Sequence, residues 1–124
     1  MRPSRRVLVV DDDDLIRATV ADALEFEGYE VVTATNGVEA LEQVRTSRPN
    51  AVLLDLMMPV MDGWTFMEHC RREELCAETP VLVMSAYRHL AEAASNLAAN
   101  ACIAKPFDLD VLLGAVERIV QRAA

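Results

Sequence analysis

Hydrophobic residues along this chain follow two alternating rhythms. Short unbroken apolar runs, Val7–Val10, Ala51–Leu54, Val81–Met84 and Cys102–Ala104, are separated by stretches where apolar residues recur every three or four positions. Runs of Val, Leu and Ile without polar alternation predict strands buried on both faces. In the first intervening stretch Ile16, Val20, Ala23 and Leu24 line one face and predict a helix over 14–27. Gly28 sits where a helix C-cap belongs, and Tyr29–Ala34 reads as a further strand. Asn36-Gly37 marks a turn into a second helix carrying Val38, Leu41 and Val44, which ends before Pro49.

Asp62-Gly63 leads into a third helix over 64–75, and Thr79-Pro80 introduces the next strand. A fourth helix carries Leu90, Ala93, Ala94 and Leu97 on one face; this mostly alanine face buries little area, so the helix is expected to be weakly held. Asp108 looks like the N-cap of a last helix with Leu109, Leu112, Leu113, Val116 and Val120 on its apolar stripe. Five strand–helix units predict an α/β fold with a doubly wound parallel sheet, because parallel neighbours need helical crossovers. The first and last helices are expected on opposite faces of that sheet. No linker, repeat or low-complexity tract interrupts residues 1–124, which read as a single domain without room for a further output domain, either stand-alone or excised from a longer protein.

Composition narrows the class. A hydrophobic content of 52% in 124 residues supports one compact core. A net charge of −8 disfavours a nucleic-acid partner, which calls for a basic surface. Arg2, Arg5 and Arg6 cluster ahead of the first strand and read as a solvated edge. No apolar stretch approaches the roughly 18 residues of a membrane span, and Val7–Val10 runs straight into four aspartates rather than a secretory core. Cys70, Cys76 and Cys102 lack metal-ligand spacing and read as reduced, mostly buried thiols, consistent with a cytoplasmic protein.

The ends of the apolar runs carry the candidate chemistry. They stop at Asp11-Asp12, Asp55, Ser85 and Lys105, and Lys105 is the only lysine beside eleven arginines. In an open parallel sheet, sites lie beyond the carboxyl ends of the strands. Carboxylates gathered there repel one another unless a cation enters, and Mg²⁺ suits an oxygen-rich site with few protein ligands. A carboxylate beside such a cation can attack phosphorus, while an ammonium and a hydroxyl can bind phosphoryl oxygens. Asp13 and Asp14 read as helix-start residues, Asp62-Gly63 equally well as a turn, and His69 and His89 as surface or packing residues.

Val7-Leu8-Val9-Val10-Asp11-Asp12, Leu53-Leu54-Asp55-Leu56-Met57-Met58-Pro59-Val60-Met61-Asp62-Gly63, Val83-Met84-Ser85-Ala86 and Ala104-Lys105-Pro106-Phe107 together resemble the receiver domains of two-component response regulators, in particular the stand-alone, chemotaxis-regulator-like kind. The resemblance implies a flavodoxin-like (βα)5 fold with strand order 2-1-3-4-5. It implies that Asp55 is a phosphoacceptor served by a histidine kinase or histidine phosphotransfer protein, and that the domain catalyses only its own phosphorylation and dephosphorylation. Asp11, Asp12, Asp55 and the backbone carbonyl of Met57 would hold Mg²⁺, with Asp12 a direct ligand and Asp11 acting mainly through water. Ser85 and Lys105 would bind the phosphoryl group, the Lys105-Pro106 bond would be cis, and the fourth helix, fifth strand and fifth helix would form the partner-binding face.

Two positions depart from the family. Cys102 stands where Tyr or Phe usually lies, three residues before the lysine, and Leu97-Ala98-Ala99-Asn100 lacks the usual glycine. Three other readings stay open. A haloacid-dehalogenase-like phosphatase would need a second aspartate at position 57, which is Met57. A flavodoxin-like cofactor binder would need a phosphate-cradling loop where four aspartates stand. A docking module would not be phosphorylated at all.

Overall fold

A computed structural model describes residues 5–123. Strand and helix alternate throughout: β1 (Arg6–Val10), α1 (Asp14–Phe26), β2 (Glu30–Ala34), α2 (Gly37–Ser47), β3 (Ala51–Asp55), α3 (Gly63–Arg72), β4 (Val81–Ser85), α4 (Leu90–Asn96), β5 (Ala101–Ala104) and α5 (Leu109–Ala123). The five strands form one parallel sheet in the order β2-β1-β3-β4-β5. This is the flavodoxin-like arrangement, with β3 and β4 buried along their whole length.

Two apolar cores sandwich the sheet. One joins Leu8, Val10, Val52, Leu54 and Val83 to α2, α3 and α4, with Phe66 among its fully buried side chains. The other joins Val7, Val9, Leu53, Leu82 and Met84 to Val20 and Leu24 of α1 and to Leu112, Val116 and Ile119 of α5. The first and last helices therefore share a face, against the expectation from sequence. The strand order explains it. The chain steps from β1 outward to β2, then returns across the sheet through β3 and β4 to β5. Right-handed crossovers place α1 on one face and the reverse-going α2, α3 and α4 on the other. Among the described residues no strand follows β5, and α5 packs on the face of α1, over the area that α1 leaves uncovered.

Helix starts follow local chemistry. Asp13, Asn36 and Asp62 cap α1, α2 and α3 through side-chain bonds to the amides of Ile16, Glu39 and Thr65. Asp108 accepts from the Asp110 amide at 2.8 Å at the start of α5. In contrast, His89 precedes α4 without a side-chain cap bond.

Three helices end in the same way. The amides of Tyr29, Leu75 and Ala99 reach back to the carbonyls of Leu24, Cys70 and Ala94, with a left-handed residue at Gly28, Glu74 and Ala98. This is the Schellman closure. At α3 it stops the helix at Arg72, short of the predicted residue 75. Glycine takes that conformation freely, whereas Glu74 and Ala98 adopt it at a cost.

Arg6 pairs with Glu30 at 2.8 Å and also donates to the Ser47 carbonyl, and Arg5 donates to the Val120 carbonyl. These two arginines tie the amino end of β1 to its neighbours; Arg2 lies outside the described residues. Among the described residues no helix is long and apolar enough to cross a membrane.

Candidate functional site

The carboxyl ends of β1 and β3 carry the reactive groups because both strands stop where their buried apolar run stops. Asp11 is fully buried just beyond β1; its amide donates to the Ala34 carbonyl and its Oδ1 accepts from the Asp13 amide at 2.9 Å. Asp12 is exposed beside it. Asp55, the last residue of β3, is only 4% exposed. Its Oδ1 accepts from the Met57 amide at 3.2 Å, while the Met57 side chain points out at 56% exposure.

Lys105 spans this pair from the end of β5. Its Nζ donates to Asp11 Oδ2 at 2.6 Å and to Asp55 Oδ2 at 3.1 Å. Burial lowers the ammonium's pKa, but its hydrogen bond to Asp11 and the charges of both carboxylates outweigh that and raise it overall. Asp55 is pushed above the usual carboxylate range, first by burial; the Lys105 charge opposes the shift and the Asp11 charge adds to it. The ammonium thus serves Asp11 at the shorter distance and leaves Asp55 incompletely compensated. The peptide bond from Lys105 to Pro106 is cis.

Asp11, Asp12 and Asp55 each offer a carboxylate oxygen, and these lie within 4.8 Å of one another. Three carboxylates against one ammonium leave two negative charges in this pocket. An oxygen-only ligand set with one open, solvent-facing side fits a hard divalent cation such as Mg²⁺. Asp13, by contrast, is spent on capping α1, and Asp14 pairs with Arg17 at 2.6 Å. Asp62 caps α3 and belongs to the turn.

Ser85 ends β4 fully buried, and its Oγ accepts from the Tyr87 amide at 3.1 Å. The Lys105 amide donates to the Ser85 carbonyl, so the hydroxyl and the ammonium are carried by adjacent strand ends. Cys102 is exposed on β5, so the three thiols run from buried Cys70 through half-buried Cys76 to solvent. That corrects the expectation of mostly buried cysteines. Strand β5 lies at the sheet edge and alternates half-buried and exposed residues, leaving Cys102 uncovered.

Several supporting residues escape the apolar pattern. A Cβ on Gly63 would meet the Asp55 carbonyl at 2.7 Å and Leu56 Cα at 2.8 Å, so only glycine lets α3 approach the strand end this closely. Val60, β-branched and 83% exposed, has a positive φ of 68° where the Met61 amide turns back to the Pro59 carbonyl. This strained γ-turn lets the Met61 carbonyl accept from the Gly37 amide. The ring of Trp64 meets Tyr87 edge-on at 5.1 Å, and Tyr87 meets His89 at 6.1 Å. Trp64 being the only tryptophan was the available sequence signal.

Comparison with known proteins agrees with this geometry. The model of the response regulator receiver domain matches residues 7–117. "Response regulator MprA" of Mycobacterium ulcerans is 40% identical over 122 residues, covering 96% of this chain and 51% of that protein, so the chain spans about half the length of the curated relatives it matches. Among solved structures, a CheY-like response regulator receiver domain protein from Methanospirillum hungatei superposes with a TM-score of 0.89 at 29% identity, covering 98% of this chain and 97% of that one. The response regulator TrrA from Thermotoga maritima, solved in complex with Mg(2+)-BeF, superposes with a TM-score of 0.82 at 33% identity, covering 93% and 98%. With the acidic trio, its bridging lysine and the strand order all in place, the chain belongs to the response regulator receiver family, a signalling domain of two-component systems.

Proposed function

We propose that Asp55 accepts a phosphoryl group from a phosphohistidine on a histidine kinase or histidine phosphotransfer protein, in the cytoplasm, and that residues 1–124 act as one receiver unit whose output is a change in protein binding. The observation that carries this reading is the Lys105 bridge to Asp11 and Asp55, at 2.6 and 3.1 Å, beside the third carboxylate of Asp12. Asp11, Asp12, Asp55 and the Met57 carbonyl would hold Mg²⁺, which neutralises charge on the transferring phosphoryl oxygens. An Asp55 carboxylate oxygen forms the new P–O bond as the P–N bond to the donor imidazole breaks. Lys105 Nζ then exchanges one carboxylate contact for a phosphoryl oxygen, and Ser85 Oγ donates to another.

Ser85 also supplies the route outward. Turning its hydroxyl toward the phosphoryl group gives up the bond it accepts from the Tyr87 amide. The loop 86–89 loses that tether, and the Tyr87 ring is free to move against Trp64. The switching ring is then Tyr87, where Cys102 cannot serve. Helix α4, starting uncapped at Leu90, transmits the change to the α4–β5–α5 face.

The deciding experiment exposes the protein to Mg²⁺ and acetyl phosphate and weighs the intact chain. We expect a gain of one phosphoryl group, absent from Asp55→Ala, and a change in Trp64 fluorescence that Tyr87→Ala removes. No gain with acetyl phosphate or a phosphorylated histidine donor would overturn the phosphoacceptor reading in favour of a docking module.

A further inference from the structure

Away from the acidic rim, the backbone at the end of α3 brings two thiols together. Cys70 lies in the last turns of α3, buried against the core that α2 and α4 share. The closure at this end bonds the Leu75 amide to the Cys70 carbonyl at 2.9 Å and the Glu74 amide to the Arg71 carbonyl at 3.3 Å, with Glu74 left-handed at φ 56°. Reversing the chain this tightly returns Cys76, the next residue, onto the turn that carries Cys70. The two sulfurs stand 2.7 Å apart, against about 2.05 Å in a covalent disulfide. The pair is therefore a product of the helix stop.

The two thiols are not equivalent. Cys70 is buried, whereas Cys76 is half-buried and lines an open cleft of 290 Å³ beside Thr79 and Asn100. We propose that Cys70 and Cys76 form a redox modification site, in which a low-molecular-weight disulfide entering the cleft oxidises the pair to an intramolecular disulfide. The Cys76 thiolate attacks one sulfur of the small disulfide, forming a mixed disulfide and releasing one thiolate. Cys70 gives up its proton and attacks the Cys76 sulfur, expelling the second thiolate, which takes up that proton. Two electrons pass from the protein to the small disulfide, leaving one protein disulfide and two small thiols. The division of labour agrees with the shared hydrogen bond, which pushes the Cys76 thiol below its usual range against its own burial, and, together with burial, pushes Cys70 well above it.

This site lies at the amino end of β4, and Ser85 lies at the other end of the same strand. Oxidation therefore staples the last turn of α3 to the segment that feeds β4, without touching Asp11, Asp55 or Lys105.

The test incubates the reduced Cys102→Ser protein with oxidised glutathione, then combines intact mass with thiol titration. The expected product is lighter by about 2 Da, has no free thiol, yields a Cys70–Cys76 cross-linked peptide on digestion, and reverts with dithiothreitol. In the native chain, exposed Cys102 takes up glutathione and reports that the oxidant acted. Two free thiols in the Cys102→Ser protein, or a stable glutathione adduct on Cys76, would overturn the proposal. Cys76→Ser, a change at a half-buried position, should lose the cross-link and keep the fold.

Discussion

The centre and the edge of the sheet are built to different standards. At the centre, β1 and β3 are flanked on both sides, their apolar residues are fully buried, and the helices beside them start on the side-chain caps of Asp13, Asn36 and Asp62. At the edge, β5 is four residues long with alternate positions exposed, and α4 is seven residues long and uncapped, with alanine in a left-handed position after it. The acidic trio belongs to the first region and the proposed partner-binding face to the second. A signalling domain needs its chemistry held still and its output surface near the low end of local stability. The difference teaches that both demands are met by location in one sheet.

The largest test of this contrast compares core truncations. Leu54→Ala in β3 should cost about 2–5 kcal/mol, whereas Ile103→Ala in β5, half-buried, should cost well under that. Denaturant unfolding followed by Trp64 fluorescence measures both, and equal losses would break the comparison. Next comes Gly63→Ala, which drives a methyl into the Asp55 carbonyl and the Leu56 backbone. It should destabilise by about 1–3 kcal/mol and weaken Mg²⁺ binding in a calorimetric titration, since Asp55 must shift.

Smaller effects sharpen the picture at the edge. Ala98→Gly should stabilise by about 1 kcal/mol by relieving the left-handed alanine, with Gly28→Ala costing a similar amount at the equivalent end of α1. A thermal melt of each variant checks the pair; an unchanged Ala98→Gly melt would mean that α4 frays before global unfolding. The last test is pH. The folded Lys105 pKa is raised, so its stabilisation is complete below the ordinary lysine pKa and is lost as pH rises through the folded value. Folded Asp55 is also raised, so it favours folding in acid and withdraws that contribution as pH climbs out of the ordinary carboxylate range. Unfolding curves of Lys105→Met and Asp55→Asn should each lack the corresponding limb.

Much of this was legible along the chain. Unbroken apolar runs, three-to-four recurrence and the cap and turn signals at Gly28 and Asp62-Gly63 together located the ten described elements, and the abrupt ends at Asp11, Asp55, Ser85 and Lys105 identified the groups that the fold brings to one rim. Local rules also worked where the cause was local: Gly28 closes α1, Asp13 caps it, and Asp108 starts α5. They failed at the end of α3, where Glu74 takes a conformation that its residue type disfavours, and no propensity argument stops the helix at Arg72.

The chain itself determined the strands, the helices and the chemical identity of the strand-end residues, because burial on two faces demands uninterrupted apolar runs and their ends must be polar. Tertiary structure alone decided the rest. Which face α5 covers depends on β5 lying at the edge of the sheet, with the α1 side of β3 and β4 left open. That Lys105 sits on Asp11 and Asp55 depends on strand order, which brings together groups 94 and 50 residues apart. The exposure of Cys102 and the meeting of Cys70 with Cys76 likewise follow from an edge and a helix stop, geometric facts that no residue type encodes by itself.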